Sequence, residues 1–195
     1  MTQSSYVIWT TKRVDHACVL EPLDGVEDIF EFARGVPRTA SFPSDACFSM
    51  NLDYPRDMVV TDNLNNVNRM IIASTKLKEL LHARGLVKVE YLPVAIRNHK
   101  KKLLPEPYYI VHPIEPVDCL EIDKCGARWG NVAADKIKFV KQLIIDEARV
   151  DPARELLRLK FFYEVIVARR DLAQAIDAAG CTGVRWVELK DFPEN

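Results

Sequence analysis

The sequence predicts an α+β fold, with a mixed sheet, two related strand–helix–strand elements and several flanking short helices. Three observations lead there. Residues 76–93 (KLKELLHARGLVKVEYLP) and 171–189 (DLAQAIDAAGCTGVRWVEL) repeat one pattern at a shift of 95 positions. Runs such as YVIWT (6–10) and VKVEYL (87–92) are β-branched, aromatic and alternating, which suits half-buried strands. Between them, apolar residues recur at helical spacing over windows of only about ten residues, which makes short helices.

The repeat is the most informative feature. At the shift of 95, Ile71 overlays Ile166, Leu77 overlays Leu172, Leu81 overlays Ile176, Ala83 overlays Ala178, Gly85 overlays Gly180, Val89 overlays Val184 and Tyr91 overlays Trp186. These are the positions of a short strand, a helix, a left-handed glycine stop and a second strand. The polar positions do not recur, since Ser74 faces Arg169, His82 faces Asp177 and Glu90 faces Arg185. A duplicated catalytic unit would keep its reactive side chains. The copied part is therefore scaffold.

In chain order, residues 6–10 form a first strand, and Val19 and Leu20 close a partner strand beside it before Pro22. In GVEDIFEFARG, Val26, Ile29, Phe30 and Ala33 fall on one helical face and Gly35 ends the helix, leaving Glu27, Asp28 and Glu31 outside. Three prolines and many Asn, Asp and Ser residues make 36–68 an ordered but irregular connection. Met70 to Ala73 is apolar, Ser74 is a good N-cap, and Leu77, Leu80 and Leu81 carry a helix to Gly85. Residues 97–107 form a basic loop between strands, and Pro113 and Pro116 mark the next strand-like run as an edge, bulge or turn. A turn falls near Gly126 to Gly130, residues 137–145 (IKFVKQLII) read as one strand, and Pro152 starts a turn or short helix.

The chain has 195 residues and 48% hydrophobic content, enough for one domain, or for two closely packed lobes at about 1–68 and 69–195. The first residues lack a basic start followed by a long apolar run, and no stretch approaches the roughly 20 apolar residues of a membrane span. Cys18, Cys47, Cys119, Cys125 and Cys181 are odd in number, scattered and without a CxxC pair, which suggests a reducing cytoplasm and no disulfide framework. The 27 basic and 28 acidic side chains balance overall, so no global field favours nucleic acid or an anionic membrane. Locally they do not. Residues 1–60 hold nine acidic and five basic side chains, and residues 61–110 hold four and nine.

Signatures for chemistry are sparse. His16, His82, His99 and His112 stand in no metal-ligand spacing, and with seven glycines there is no phosphate-cradling motif, so neither metal nor cofactor is expected. The one arrangement that resembles a nucleophile with its base is Cys119 with His112 and Asp118, which would make a small cysteine-dependent hydrolase or transferase. Its rival reading is a buried cysteine acting as a small hydrophobe between Val117 and Leu120.

The order of FEFARGVPRTASFPSDACFSMNLD, the strand entering Ile71-Ile72-Ala73-Ser74, YYIVHPIEPVDCLEID, IKFVKQLIIDEARV and LLRLKFFYEVIVARRDLAQAIDAAGCTGVRWVEL covers most of the chain. That order resembles immunity protein family eleven of bacterial polymorphic-toxin systems. VDCLEID and AAGCTGVRWVEL are its most specific pieces. One departure is Arg169-Arg170-Asp171, where members have Ser-Asp leading into the last helix. The resemblance implies a cytoplasmic bacterial protein, encoded beside a toxin, that neutralises it by stoichiometric binding without turnover or cofactor. For such a contact two charged faces are candidates, the acidic one first and the basic one second. Glu27, Asp28 and Glu31 suit a basic toxin, and Lys100, Lys101 and Lys102 suit an acidic one.

Overall fold

The computed structural model describes residues 3–130 and 135–193. In chain order the elements are β1 (Tyr6–Thr11), β2 (Val19–Leu20), α1 (Ile29–Ala33), β3 (Cys47–Ser49), β4 (Asn65–Asn66), β5 (Ile71–Ser74), α2 (Thr75–Ala83), β6 (Val89–Arg97), β7 (Tyr108–Pro113) and α3 (Ile122–Cys125). They continue with β8 (Arg128–Trp129), β9 (Ile137–Phe139), β10 (Leu156–Arg158), β11 (Ile166–Arg169), α4 (Arg170–Ala178) and β12 (Val184–Glu188). The fold is α+β.

Two four-stranded sheets carry it, in the orders β3-β6-β7-β5 and β10-β11-β1-β12. Each is built around a central strand that pairs antiparallel on both sides. In the first, β7 lies between β5 and β6, which are joined by α2. In the second, β1 lies between β11 and β12, which are joined by α4. The copied sequence is thus one split strand–helix–strand unit made twice. The first unit takes its centre strand from the residues that follow it. The second takes its own from the N-terminus, so the pairing of β1 crosses any division at residue 68.

Local chemistry explains the matching geometry. The Ser74 hydroxyl accepts the Leu77 N–H at 3.3 Å and caps α2. After the helices, Gly85 and Gly180 adopt φ of +66° and +63°, the left-handed stop that glycine permits. Three residues on, Lys88 and Gly183 are again equivalent and again left-handed, at +58° and +79°. Only the second needs glycine for space, because a Cβ at Gly183 would lie 2.3 Å from the Asn63 carbonyl oxygen.

Strand alternation then sorts side chains between cores. Ile71 and Ala73 of β5, with Leu77 and Leu81 of α2, join Ile166 and Ala168 of β11, with Leu172 and Ile176 of α4, in a single cluster. The repeated positions therefore pack together, the two units sharing one core. Each large aliphatic side chain so buried contributes about 1.5–3 kcal/mol. The opposite faces serve separate cores. Ile72, Leu92, Ile96 and Ile110 pack with Leu20, Phe32 and Phe48, while Ile8 and Val167 pack with Cys119, Leu120, Ile137 and Leu143.

Several expectations are corrected. Val19 and Leu20 pair in parallel with β4 and not with β1, whose two edges are already filled by β11 and β12. The first helix is a single turn from Ile29, because Asp28 before it is left-handed at φ 53°. Its buried residue is Phe32, and Phe30, expected inside, is 81% exposed. β6 runs on to Arg97, into the stretch read as a basic loop. β7 is an interior strand, with Pro113 tolerated at its last position, where a missing N–H costs least. Of residues 137–145, only Ile137–Phe139 pair as a strand.

Candidate partner-binding surface

Cys119, His112 and Asp118 do not converge. Cys119 is fully buried in the core beneath the second sheet, and burial pushes its thiol up to about 11. His112 is packed on the other side of the molecule's sheets, against the Phe32 ring at 5.0 Å, and its Nε2 donates to the Val36 carbonyl at 2.9 Å. Burial holds its pKa down to about 4. Asp118 pairs with Lys160 at 3.2 Å, half-exposed. A thiolate and its base need contact and a favourable charge state, and neither is present. Among the described residues no group of three or more His, Cys, Asp or Glu side chains is placed to hold a metal ion. Among the described residues no helix is long and apolar enough to cross a membrane.

The acidic candidates surround α1. Glu27 and Asp28 are exposed, but Glu31 is engaged by Arg38, whose guanidinium also donates to the Glu27 carbonyl at 2.8 Å and stacks on Phe32. Arg38 therefore offsets part of the negative charge of this face.

The basic candidates sit on a tight turn after β6. The Asn98 side-chain oxygen accepts the Lys100 and Lys102 N–H groups at 2.9 and 3.1 Å, and Lys101 is left-handed at φ 58°. This Asx turn aims backbone amides inward and leaves three lysine side chains exposed. Among the described residues none of the three forms an ion pair. Beside them, His99 donates to the Asn51 carbonyl at 3.1 Å and Met50 N–H donates to the Arg97 carbonyl at 2.8 Å. These bonds fix the turn against the start of the 52–60 loop.

That loop is the feature sequence reasoning missed. Leu52, Tyr54, Met58, Val59 and Val60 are all exposed, and so is Leu103, just beyond the lysines in the chain. Single exposed apolar side chains mean little, but five within residues 52–60 single this segment out as a candidate contact. In the sequence these residues read as an irregular connection, and only their clustering between prolines and turn residues hinted otherwise. A cleft of about 640 Å³ borders the same loop, and Lys12, Arg13, Asp15 and Asp57 are among the residues that line it.

A second cleft, of about 250 Å³, lies between α1 and the β10–β11 connection. Its wall includes Arg158, the last residue of β10. At 5% exposure it is a buried guanidinium. At the mouth, Glu164 is shared by Lys136, at 2.7 Å, and Arg69.

An α+β scaffold with a closed core, outward clefts and a charged, apolar surface loop is what these observations define. The chain belongs to the immunity protein family Imm11, whose family model matches residues 23–191. No curated protein matches it.

Proposed function

We propose that this chain neutralises a cognate bacterial toxin by forming a stoichiometric complex in the cytoplasm, and that the toxin is the product of the adjacent gene. Membership of an immunity family supports the reading. The observation that carries it is the exposed apolar 52–60 loop bonded beside Lys100, Lys101 and Lys102. An apolar centre with a cationic rim suits an acidic partner, the charges speeding encounter and the apolar side chains slowing release. Specific interfaces bury about 1,200–2,000 Å², more than the loop alone supplies, so flanking surface takes part. Glu27 and Asp28 offer the alternative face for a basic toxin.

The test is co-expression with the neighbouring gene product, followed by purification and mass determination. Growth rescue with a complex of fixed ratio is the expected result. Reversing the three lysines to glutamate should slow association, the more so at low salt, and Met58→Glu should speed dissociation. Protection at far below equimolar amounts, or no protection from the neighbouring product, would overturn the proposal.

A further inference from the structure

Arg158 is placed at odds with ordinary electrostatics. Its Nη1 donates to the Tyr163 carbonyl, and its buried Nε has no partner among the described residues. Among the described residues no carboxylate pairs with it, and burial alone holds its pKa down, at about 10. Arg154, four residues earlier, shows what a structural buried arginine looks like in the same protein. Its buried Nε also lacks a partner among the described residues and burial lowers its pKa, but its Nη2 ties the Ile114 and Glu115 carbonyls at 2.9 and 3.2 Å, and the Glu115 and Asp151 charges oppose that shift. Arg154 closes a connection. Arg158 fastens one carbonyl and lines an open cleft.

A guanidinium buried without a counter-charge is destabilising, as a buried ion pair is when one partner is removed, so the position calls for an anion from outside. The cleft fits one. Arg158, Lys136 and Arg69 line it with one carboxylate, Glu164, which Lys136 and Arg69 already hold. Glu164 at the mouth disfavours a dianion such as phosphate, whereas a singly charged carboxylate meets the planar fork that guanidinium presents. The rim is apolar and open, with Phe30 and Val67 exposed, which suits a protein surface more than a free solute.

We propose that the cleft between α1 and the β10–β11 connection receives one aspartate or glutamate side chain of the toxin, clamped by Arg158 and covered at the rim by Phe30. The inference rests on the toxin-binding reading and names the partner's chemistry at this contact.

Two measurements on the full chain test it. In the first, acetate is titrated against chloride at matched ionic strength while the Nε–H resonance of Arg158 is followed, its assignment fixed by its absence in Arg158→Met. A saturable shift with acetate alone is expected. In the second, toxin affinity and melting temperature are compared for the wild type, Arg158→Met, Arg158→Lys and Phe30→Asp. Arg158→Met should melt at or above the wild-type temperature, since replacing an unpaired buried charge with a similar apolar volume relieves desolvation. It should weaken toxin binding about 30-fold or more. Phe30→Asp, on an exposed position, should fold normally and weaken binding by repelling the incoming acid.

If acetate shifts nothing, or if Arg158→Met and Phe30→Asp both bind toxin as the wild type does, the cleft is not the receptor, though the immunity reading stands. Should Arg158→Met fail to fold, Arg158→Lys and Phe30→Asp decide by the same criterion. If the wild type protects against no toxin while acetate still shifts the resonance, the immunity reading falls and the toxin assignment falls with it.

Discussion

The two strand–helix–strand units, β5–α2–β6 and β11–α4–β12, agree in the apolar positions that meet in their shared core and differ in the polar positions that bond to the rest of the chain. Ile71, Leu77 and Leu81 meet Ile166, Leu172 and Ile176 in one shared core. Outside it, Ser74 caps α2 through its hydroxyl, whereas Arg169 at the same place makes no cap bond and pairs with Glu155 and Asp171 instead. The difference teaches that shape is written in the apolar positions. Polar positions, free of that constraint, were used to fasten each unit to its own surroundings.

The largest effects should come from the shared core. Leu77→Ala and Leu172→Ala each remove a fully buried side chain and should each destabilise by about 2–5 kcal/mol in chemical denaturation. Because both lie in one cluster, the double variant should depart from the sum by about 0.5 kcal/mol or more. Strict additivity would mean that the units are packed independently.

A sharper contrast lies in the turn after each helix. Gly183→Ala drives a Cβ against Asn63 and Thr61 at φ +79° and should cost about 3 kcal/mol or more. Lys88→Gly at the equivalent left-handed position should change stability by only about 1 kcal/mol or less, because strain relieved in the folded state is offset by the freer unfolded chain. Comparable losses in both variants would show that the two turns are constrained alike.

Acid separates the units next. His112, in the centre strand of the first, is 1% exposed and held neutral by burial, with Arg158 and Arg38 adding to the effect and the Val36 carbonyl and Glu90 opposing it. Its pKa falls from 6.5 in the unfolded chain to about 4 in the fold. Between those values the unfolded chain binds more protons, so stability declines as pH drops through that window, by roughly 3 kcal/mol in all. β1, the matching strand, holds no histidine or carboxylate. Hydrogen exchange at pH 5 should therefore show β6 and β7 loosening before β1 and β12, and His112→Asn should flatten the pH dependence.

How much of this was legible in the sequence follows from the same contrast. The repeat could be read because Gly85 and Gly180 and the aliphatic positions obey local periodicities that tertiary contacts reinforce. The first helix was misread because the alternation of Val26, Ile29 and Phe30 looked amphipathic, while Asp28 in a left-handed conformation delayed its start and turned Phe32 inward. Residues 137–145 were misread as one strand because they supply core residues, Ile137, Val140 and Leu143, without continuous ladder pairing. Lys100 to Lys102 were visible as charge, but their apolar neighbours at 52–60 were not, since exposure of Leu52 or Met58 is decided by what fails to cover them. Arg158 had no signal at all. An arginine reads as surface until the chain closes over it.

The smallest effect tests the most local difference. Ser74→Ala should cost about 1 kcal/mol for the lost cap, and somewhat more because the Ser74 hydroxyl also donates to Asp62 at 2.7 Å. Asp62 reaches across to the second unit, accepting the N–H and hydroxyl of Thr182 at 2.7 and 2.9 Å. Desolvation pushes its carboxyl up, but these bonds and Lys76 outweigh it and leave the pKa below the usual range. Ser74→Ala should thus raise the pKa of Asp62, so that its contribution, present above the ordinary aspartate pKa, is lost at a higher pH as the solution is acidified. Arg169→Ala, at the equivalent cap, should leave Asp62 unmoved and show its effect instead on Asp171, whose carboxyl Arg169 holds well below the usual range. If both variants shift Asp62 alike, the two caps are coupled through the shared core and not separately fastened, and the division between common shape and private polar contacts fails at its finest scale.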